Sequence, residues 1–261
     1  GIGLPSCFNM LEDSWILVAF FNIGNGGTTL GRIGFGYVYP DFNASFRYTS
    51  PSYGGTTFSI GLYDPSQIKS GTSSAAGAFT ANEANLPRVE GEINISLAGI
   101  SEGSNLAISG MYQEAENATD IEAKGIHVGG TLVGGPAALT AHYYNGECLG
   151  ITLQMDSGAM SSSGECRDHD GYYVQGTYNY GSGKVGVSWG GSYQDKAGND
   201  GLTNDPKSEQ EMFTAGIYHN LAPEWLAVVE YSHAEESWHD MDDGDEDGES
   251  DIFSVGMFYL W

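Results

Sequence analysis

The segment Ser250-Asp-Ile-Phe-Ser-Val-Gly-Met-Phe-Tyr-Leu-Trp261 decides the fold. Phe253, Val255, Met257, Tyr259 and Trp261 share one face; Ile252, Ser254, Gly256, Phe258 and Leu260 share the other. A period of two belongs to a strand, whose successive side chains leave the backbone on opposite sides. The same alternation recurs upstream. In Leu86–Leu97, Val89, Gly91, Ile93, Ile95 and Leu97 oppose Arg88, Glu90, Glu92, Asn94 and Ser96. In 172–180, Tyr172, Val174, Gly176, Tyr178 and Tyr180 oppose Tyr173, Gln175, Thr177 and Asn179. In 185–193, Val185, Val187, Trp189, Gly191 and Tyr193 oppose Gly186, Ser188, Gly190 and Ser192.

Thirteen strand candidates follow, near 14–24, 27–37, 43–50, 55–64, 86–97, 104–115, 121–133, 136–146, 170–180, 184–194, 209–219, 224–235 and 250–261. Composition agrees: 39 of 261 residues are Gly, about twice the usual ~7%, beside 16 Tyr and 11 Phe, which suits strands and tight turns. From residue 50 onward, short connections (50–54, 98–103, 134–135, 181–183, 220–224) alternate with longer polar ones (65–85, 116–120, 147–169, 195–208, 236–249). An up-and-down antiparallel barrel has this rhythm, with tight turns at one rim and long loops at the other. The longest apolar run, Trp15–Phe21, is far below the ~20 residues of a spanning helix, but a spanning strand needs only ~9–11. One face of each candidate is apolar with aromatics near its ends; the other is small or mildly polar. That pattern fits a lipid-facing band around a wet interior, against the alternative of a soluble β-sandwich with a polar exterior.

Four stretches resemble the Gram-negative general diffusion porins. They are Ser14–Arg32 with its Asn25-Gly26 turn, Asn43–Gly55 (NASFRYTSPSYGG), Arg167–Tyr180 followed by Lys184–Gly190, and the terminal strand ending on an aromatic, here Trp261. The resemblance implies a sixteen-stranded transmembrane antiparallel barrel in the outer membrane of a Gram-negative bacterium. It implies a homotrimer in contact with membrane lipid and lipopolysaccharide, and passive diffusion of ions and small hydrophilic solutes. Only about 13–14 strands are legible, so residues 1–261 are expected to be one barrel domain lacking N-terminal strands. The start, GIGLPSCFNM, carries no basic leader segment, so the chain is taken as mature or incomplete. The family's constriction loop falls between Arg32 and Asn43, where about ten residues remain.

Inward charges are the candidate pore-lining and constriction residues: Arg32, Arg47, Arg88, Glu90, Glu92 and Glu230. His127 and His142 also fall on the polar face, as ordinary lining. Tyr172, Trp189, Trp225, Tyr259 and Trp261 are candidate membrane-interface aromatics. The formal net charge of −25 excludes a nucleic-acid partner and predicts a cation preference. Glu235–Asp251 holds ten carboxylates, and Asp243, Asp245, Asp247, Glu249 and Asp251 follow the opening spacing of a calcium loop, without the final Glu or flanking helices of an EF-hand. Calcium on this external loop is therefore one expectation, a solvated acidic loop the other; no further cofactor is expected. Cys148 and Cys166 flank one polar stretch and form a candidate disulfide, consistent with an oxidising compartment; Cys7 has no evident partner. No G-x-S-x-G, H-E-x-x-H or P-loop is present, so no enzyme activity is expected. The alternative function is a non-conducting outer-membrane barrel whose loops serve adhesion or calcium and ligand binding.

Overall fold

The computed structural model describes residues 33–39, 43–70, 80–81, 84, 86–116, 120–155, 158–161, 163–198, 207–238 and 246–259. Its elements are β1 (Ser45–Thr49), β2 (Thr56–Tyr63), β3 (Ile68–Lys69), β4 (Thr80–Ala81), β5 (Arg88–Ser96), β6 (Asn105–Glu116), β7 (Asp120–Gly134), β8 (Ala137–Glu147), β9 (Asp168–Asn179), β10 (Gly183–Gln194), β11 (Lys207–Ala222), β12 (Trp225–Trp238) and β13 (Glu246–Tyr259). Eleven of them form one antiparallel sheet in the order β1-β2-β5-β6-β7-β8-β9-β10-β11-β12-β13. Each strand pairs with its neighbour in sequence, apart from the small β3–β4 pair inserted between β2 and β5. This is the meander that the alternating connection lengths predict.

The face assignment also follows the sequence. Outward residues are apolar and exposed: Phe46 at 78%, then Ile60, Ile93, Ile126, Leu139, Val187, Ile217, Val229 and Val255 among others. In a water-soluble protein such a surface would aggregate; in hydrocarbon it is the face that belongs outside. Aromatics bound this band on both sides. Toward the long-loop rim, Tyr143 pairs with Tyr172, and Tyr231 with Phe253. Toward the short-turn rim, Trp225 faces Tyr259, with ring centroids 5.0 Å apart. Tyr172 and Trp189 meet edge to face at 5.5 Å. Amphipathic rings suit the boundary between tails and headgroups. Trp261 lies outside the described residues.

Two sequence expectations are corrected. Residues 33–37 belong to no strand: Gly34 and Gly36 take φ of +84° and +110°, and the Gly34 N–H donates to the Tyr37 carbonyl at 2.9 Å. Positive φ reverses the chain where period-two patterning suggested a straight run; the 14–24 candidate lies outside the described residues. At the other end, β12 and β13 continue into the acidic stretch expected to be loop, pairing as far as Trp238 and Glu246.

That extension places His233 opposite Asp251, just beyond the band that ends at Tyr231 and Phe253. Its Nδ1 lies 2.9 Å from Asp251 Oδ1 and its Nε2 3.0 Å from Glu235 Oε1. The hydrogen bonds to Asp251, then to Glu235, raise His233 above its ordinary 6.5. Those from Tyr231, then from His233, lower Asp251 below its ordinary 3.8. A raised histidine contributes stability fully below its unfolded value, and loses it as pH rises through its folded value. A lowered aspartate contributes above its unfolded value, and loses it as pH falls through its folded one. Both contributions are therefore present between those limits. His233→Gln is expected to lower the urea midpoint at about pH 5.5 and to have a shrinking effect as pH passes neutrality or salt rises. Within the band, Val255→Arg is expected to cost about 2–4 kcal/mol of folding stability in liposomes. Arg in place of Asp247, beyond the band, is expected to cost no more than about 1 kcal/mol.

Candidate functional site

The inner face is organised in horizontal rows set by strand register. One row runs through Glu92, Ser109, His127, Tyr144, Gly171, Ser192, Gln210 and Glu236. Another, nearer the short turns, runs through Ser96, Asn105, Thr131, Thr140, Gln175, Ser188, Thr214 and Ser232. Hydroxyls within it bond across strands, Thr131 to Thr140 and Thr214 to Ser232 at 2.9 Å each. Most residues of these two rows are thus small or polar, with Glu92, His127, Tyr144 and Glu236 among them.

Three segments dock on this face. The first is Ile33–Tyr39. Its Gly36 N–H donates to Ser192 Oγ at 3.0 Å, and the same oxygen accepts the Tyr144 hydroxyl at 2.9 Å. The Gly36 carbonyl lies 2.8 Å from His142 Nε2. A Cβ on Gly36 would stand 2.4 Å from the Tyr172 carbonyl oxygen, so only glycine permits this approach. The second is Ser66–Ser70. Gln113 grips Ser66 with both amide atoms: its Oε1 accepts the Ser66 N–H at 2.9 Å and its Nε2 donates to the Ser66 carbonyl at 2.6 Å. The third is the connection from Cys148 to Arg167, closed by a Cys148–Cys166 disulfide across 18 residues. A cross-link of that span removes chain entropy equivalent to about 3 kcal/mol.

The third segment touches the other two. Tyr39 N–H donates to the Thr152 carbonyl at 3.0 Å, and Gln154 N–H to the Tyr39 carbonyl at 2.8 Å. Lys69 N–H donates to the Met155 carbonyl at 3.0 Å. Ile68, Met155, Ala159, Met160 and Cys148 form one apolar cluster with Ala115 on β6 and Ile121 and Ala123 on β7. Ile68, Met155 and Met160 are completely buried, worth on the order of 2 kcal/mol each. The Arg167 side chain closes the loop on itself, its Nη1 donating to the Gly158 and Met160 carbonyls at 2.7 and 2.9 Å.

Against this geometry the candidate residues separate. Cys148 and Cys166 are bonded as expected. Arg47, Arg88, Glu90, Glu92 and Glu230 all face inward, but not as free lumen charges. Arg88 has no exposed surface: its Nε pairs with Glu90 at 2.9 Å, its Nη1 donates to Ser66 Oγ at 3.0 Å, and its guanidinium lies 5.2 Å from the Tyr63 ring centroid. It anchors the second segment and is not open to water. Glu90, Glu92 and Glu230 are likewise buried, Glu230 accepting the Tyr218 hydroxyl. Arg47 is half-buried, and its Nη2 donates to Ser59 Oγ at 3.1 Å. In register it stands in one row with Gly61 and Glu90. Arg32, Asp243 and Asp245 lie outside the described residues. Asp247, Glu249 and Asp251 occupy alternate outward positions on β13, not a tight turn. A strand spreads alternate side chains along its length instead of converging them on one ion. Among the described residues no cluster of three His, Cys, Asp or Glu side chains is placed to hold a metal. The sequence also missed the part played by His142: its inward face was evident, but its partner carbonyl lies 106 residues away.

A sheet apolar outside, polar inside and lined by inward-folded connections calls for comparison with barrels that cross lipid. A family model described as Gram-negative porin matches residues 8–239. The chain belongs to the Gram-negative porin family. No curated protein matches the sequence. Among solved structures, the porin resembles the outer-membrane channel DcaP of Acinetobacter baumannii, with a TM-score of 0.72 at 14% identity, over 94% of this chain and 70% of that one. It is similar to a porin refined at 1.8 Å, with a TM-score of 0.58 at 12% identity, over 98% of this chain and 76% of that one. It is also similar to an anion-selective porin from Comamonas acidovorans, with a TM-score of 0.54 at 12% identity, over 82% of this chain and 58% of that one. The fold is thus that of the outer-membrane porin β-barrels, and the protein is an outer-membrane channel.

The docking of Ile33–Tyr39 depends on Gly36. Gly36→Val is expected to leave the barrel folded while the Tyr39 and Gln154 amides exchange with solvent at least about tenfold faster, read by hydrogen–deuterium exchange in detergent.

Proposed function

We propose that this porin encloses a water-filled passage through which ions and small hydrophilic solutes diffuse passively, with a preference for cations. The observation that carries the reading is the inner face. Polar rows, one of Ser, Thr, Asn and Gln and one with Glu, His and Tyr among them, turn away from an apolar exterior, and in a membrane such rows are stable against water and protein, not against lipid. No bond chemistry is required of such a wall. Passage depends on width and on the field along it.

The preference for cations rests on charge. The chain carries −25 overall. The positive charge of Arg88 is matched by Glu90 beside it. At the long-loop rim, Glu209 is pushed above the usual carboxylate range by desolvation, then by Glu211, Glu235 and Asp247 around it. Acidic groups dense enough to disturb one another raise the local concentration of cations at a channel mouth. Family membership supports assembly as a homotrimer among outer-membrane lipids and lipopolysaccharide.

Purified protein in a planar bilayer under a salt gradient tests this. Ohmic steps in groups of three, with a reversal potential of cation sign that weakens as salt rises, are the expected result. A folded barrel without current would end the channel reading; anion sign would end the charge argument and leave the passage.

A further inference from the structure

We propose that the disulfide-tied segment from Cys148 to Arg167 sets the cross-section of the passage, by serving as the abutment for both other inner segments. The proposal rests on the channel reading above. Three observations meet here. Ile33–Tyr39 meets the wall at the Gly36 backbone, held by Ser192 and His142, while its far end is held by backbone bonds between Tyr39 and residues 152–154. Ser66–Ser70 is held on one side by Gln113 and Arg88 and on the other by Lys69, whose N–H meets the Met155 carbonyl and whose own carbonyl accepts from Met160 N–H at 3.4 Å. The segment that supplies both sets of partners is itself closed by one covalent bond and by the adjacent Cys148 N–H to Arg167 carbonyl bond at 3.0 Å.

The order of attachment matters. Thr152 Oγ1 donates to Gln210 Oε1 on β11 at 3.0 Å, while Leu149 lies against Gly125 on β7 and Gly146 on β8. One short stretch thereby reaches from one part of the inner wall to another, from roots at the end of β8 and the start of β9 that the disulfide joins. With the tie cut, the base of the loop is held only by the Glu147–Asp168 strand pair and the Cys148–Arg167 backbone bond, so the contacts above must hold a stretch whose first and last residues are free to part. Cys148 and Cys166 are positioning residues for permeation: they touch no solute, but they determine where the backbone that bounds the solute's path can lie.

Cys166 is only partly buried, so a small dithiol can reach it. Dithiothreitol supplies two electrons and two protons, breaking the sulfur–sulfur bond to two thiols while it closes to its own cyclic disulfide. Adding it to folded, already inserted channels avoids any question of assembly, and the Cys148→Ala, Cys166→Ala double variant gives the same comparison without reductant. The expected result in both is a single-channel conductance higher on the order of 1.5-fold or more, noisier open levels, and faster liposome swelling with sugars near the size limit. Unchanged conductance and swelling, with both thiols shown free by maleimide labelling, would overturn the proposal, even if the melting temperature fell. Lower conductance would overturn it too. If the oxidised wild-type protein passes no current, the channel reading fails and takes this proposal with it; normal current that reduction leaves unchanged removes this proposal alone.

Discussion

In hydrocarbon every backbone N–H and C=O must find a partner within the protein, because no water is present to serve instead. The rest of this molecule depends on that constraint. It forces the strands to pair along their whole length, as β12 and β13 do from Trp225 opposite Tyr259 to Trp238 opposite Glu246. It also inverts the usual arrangement of faces. Apolar side chains such as Ile126 and Val187 stand outside, where burial in a core would otherwise be their only stable place. The polar residues are then gathered on the concave side, where they need one another: Thr131 with Thr140, Thr214 with Ser232, Tyr144 with Ser192.

A polar concave wall is a poor surface for hydrophobic packing, so the inward-folded segments are held mostly by other means. Ile33–Tyr39 and Ser66–Ser70 are attached through backbone groups to side chains of the wall, the arrangement seen at Gly36 and Ser66. At Ala115, Ile121 and Ala123 the wall becomes apolar, and there Ile68, Met155 and Met160 settle. Arg88 shows the same economy with charge. A guanidinium without exposed surface is tolerable only with its charge met, and Glu90, Ser66 and the Tyr63 ring surround it.

The strands were legible in the sequence because period-two alternation is local and is enforced by a strong contrast between lipid and water. Facing was legible for the same reason: Arg47, Arg88, Glu90, Glu92 and Glu230 all point inward, as alternation requires. Burial was not legible, because it depends on what lies across the interior. Arg88 is covered by Ser66, 22 residues away, and His142 holds the carbonyl of Gly36, 106 residues away. No periodicity encodes such a partner. Residues 33–37, the described end of the 27–37 candidate, misled for a different reason: Gly34 and Gly36 fit an alternating pattern as neutral small residues, while their positive φ turns the chain back. The acidic stretch misled in the opposite sense. Asp, Glu and Gly argue for a loop, yet strand pairing continues through Asp247 and Glu249 because the register of β12 and β13 propagates beyond the membrane.

Those last residues also bear on how charge acts in the molecule. Glu209, Glu211, Glu235, Asp247 and Glu249 enlarge the net charge, but they stand on outward-facing positions at the rim. Salt at ~0.15 M screens such groups beyond about 8 Å. In the proposed channel they act on cations near the mouth without setting the field at the narrowest point. Further in, Arg88 and Glu90 cancel at close range, and Glu230 is engaged by Tyr218. The sign of the chain as a whole and the sign along the path are thus set by different residues. The inner segments decide which of the two a passing ion meets at close quarters, since whatever lies against the wall determines how near the ion comes to Arg47 and Glu92. Width and selectivity in this barrel are accordingly one problem, governed by the same docked backbone.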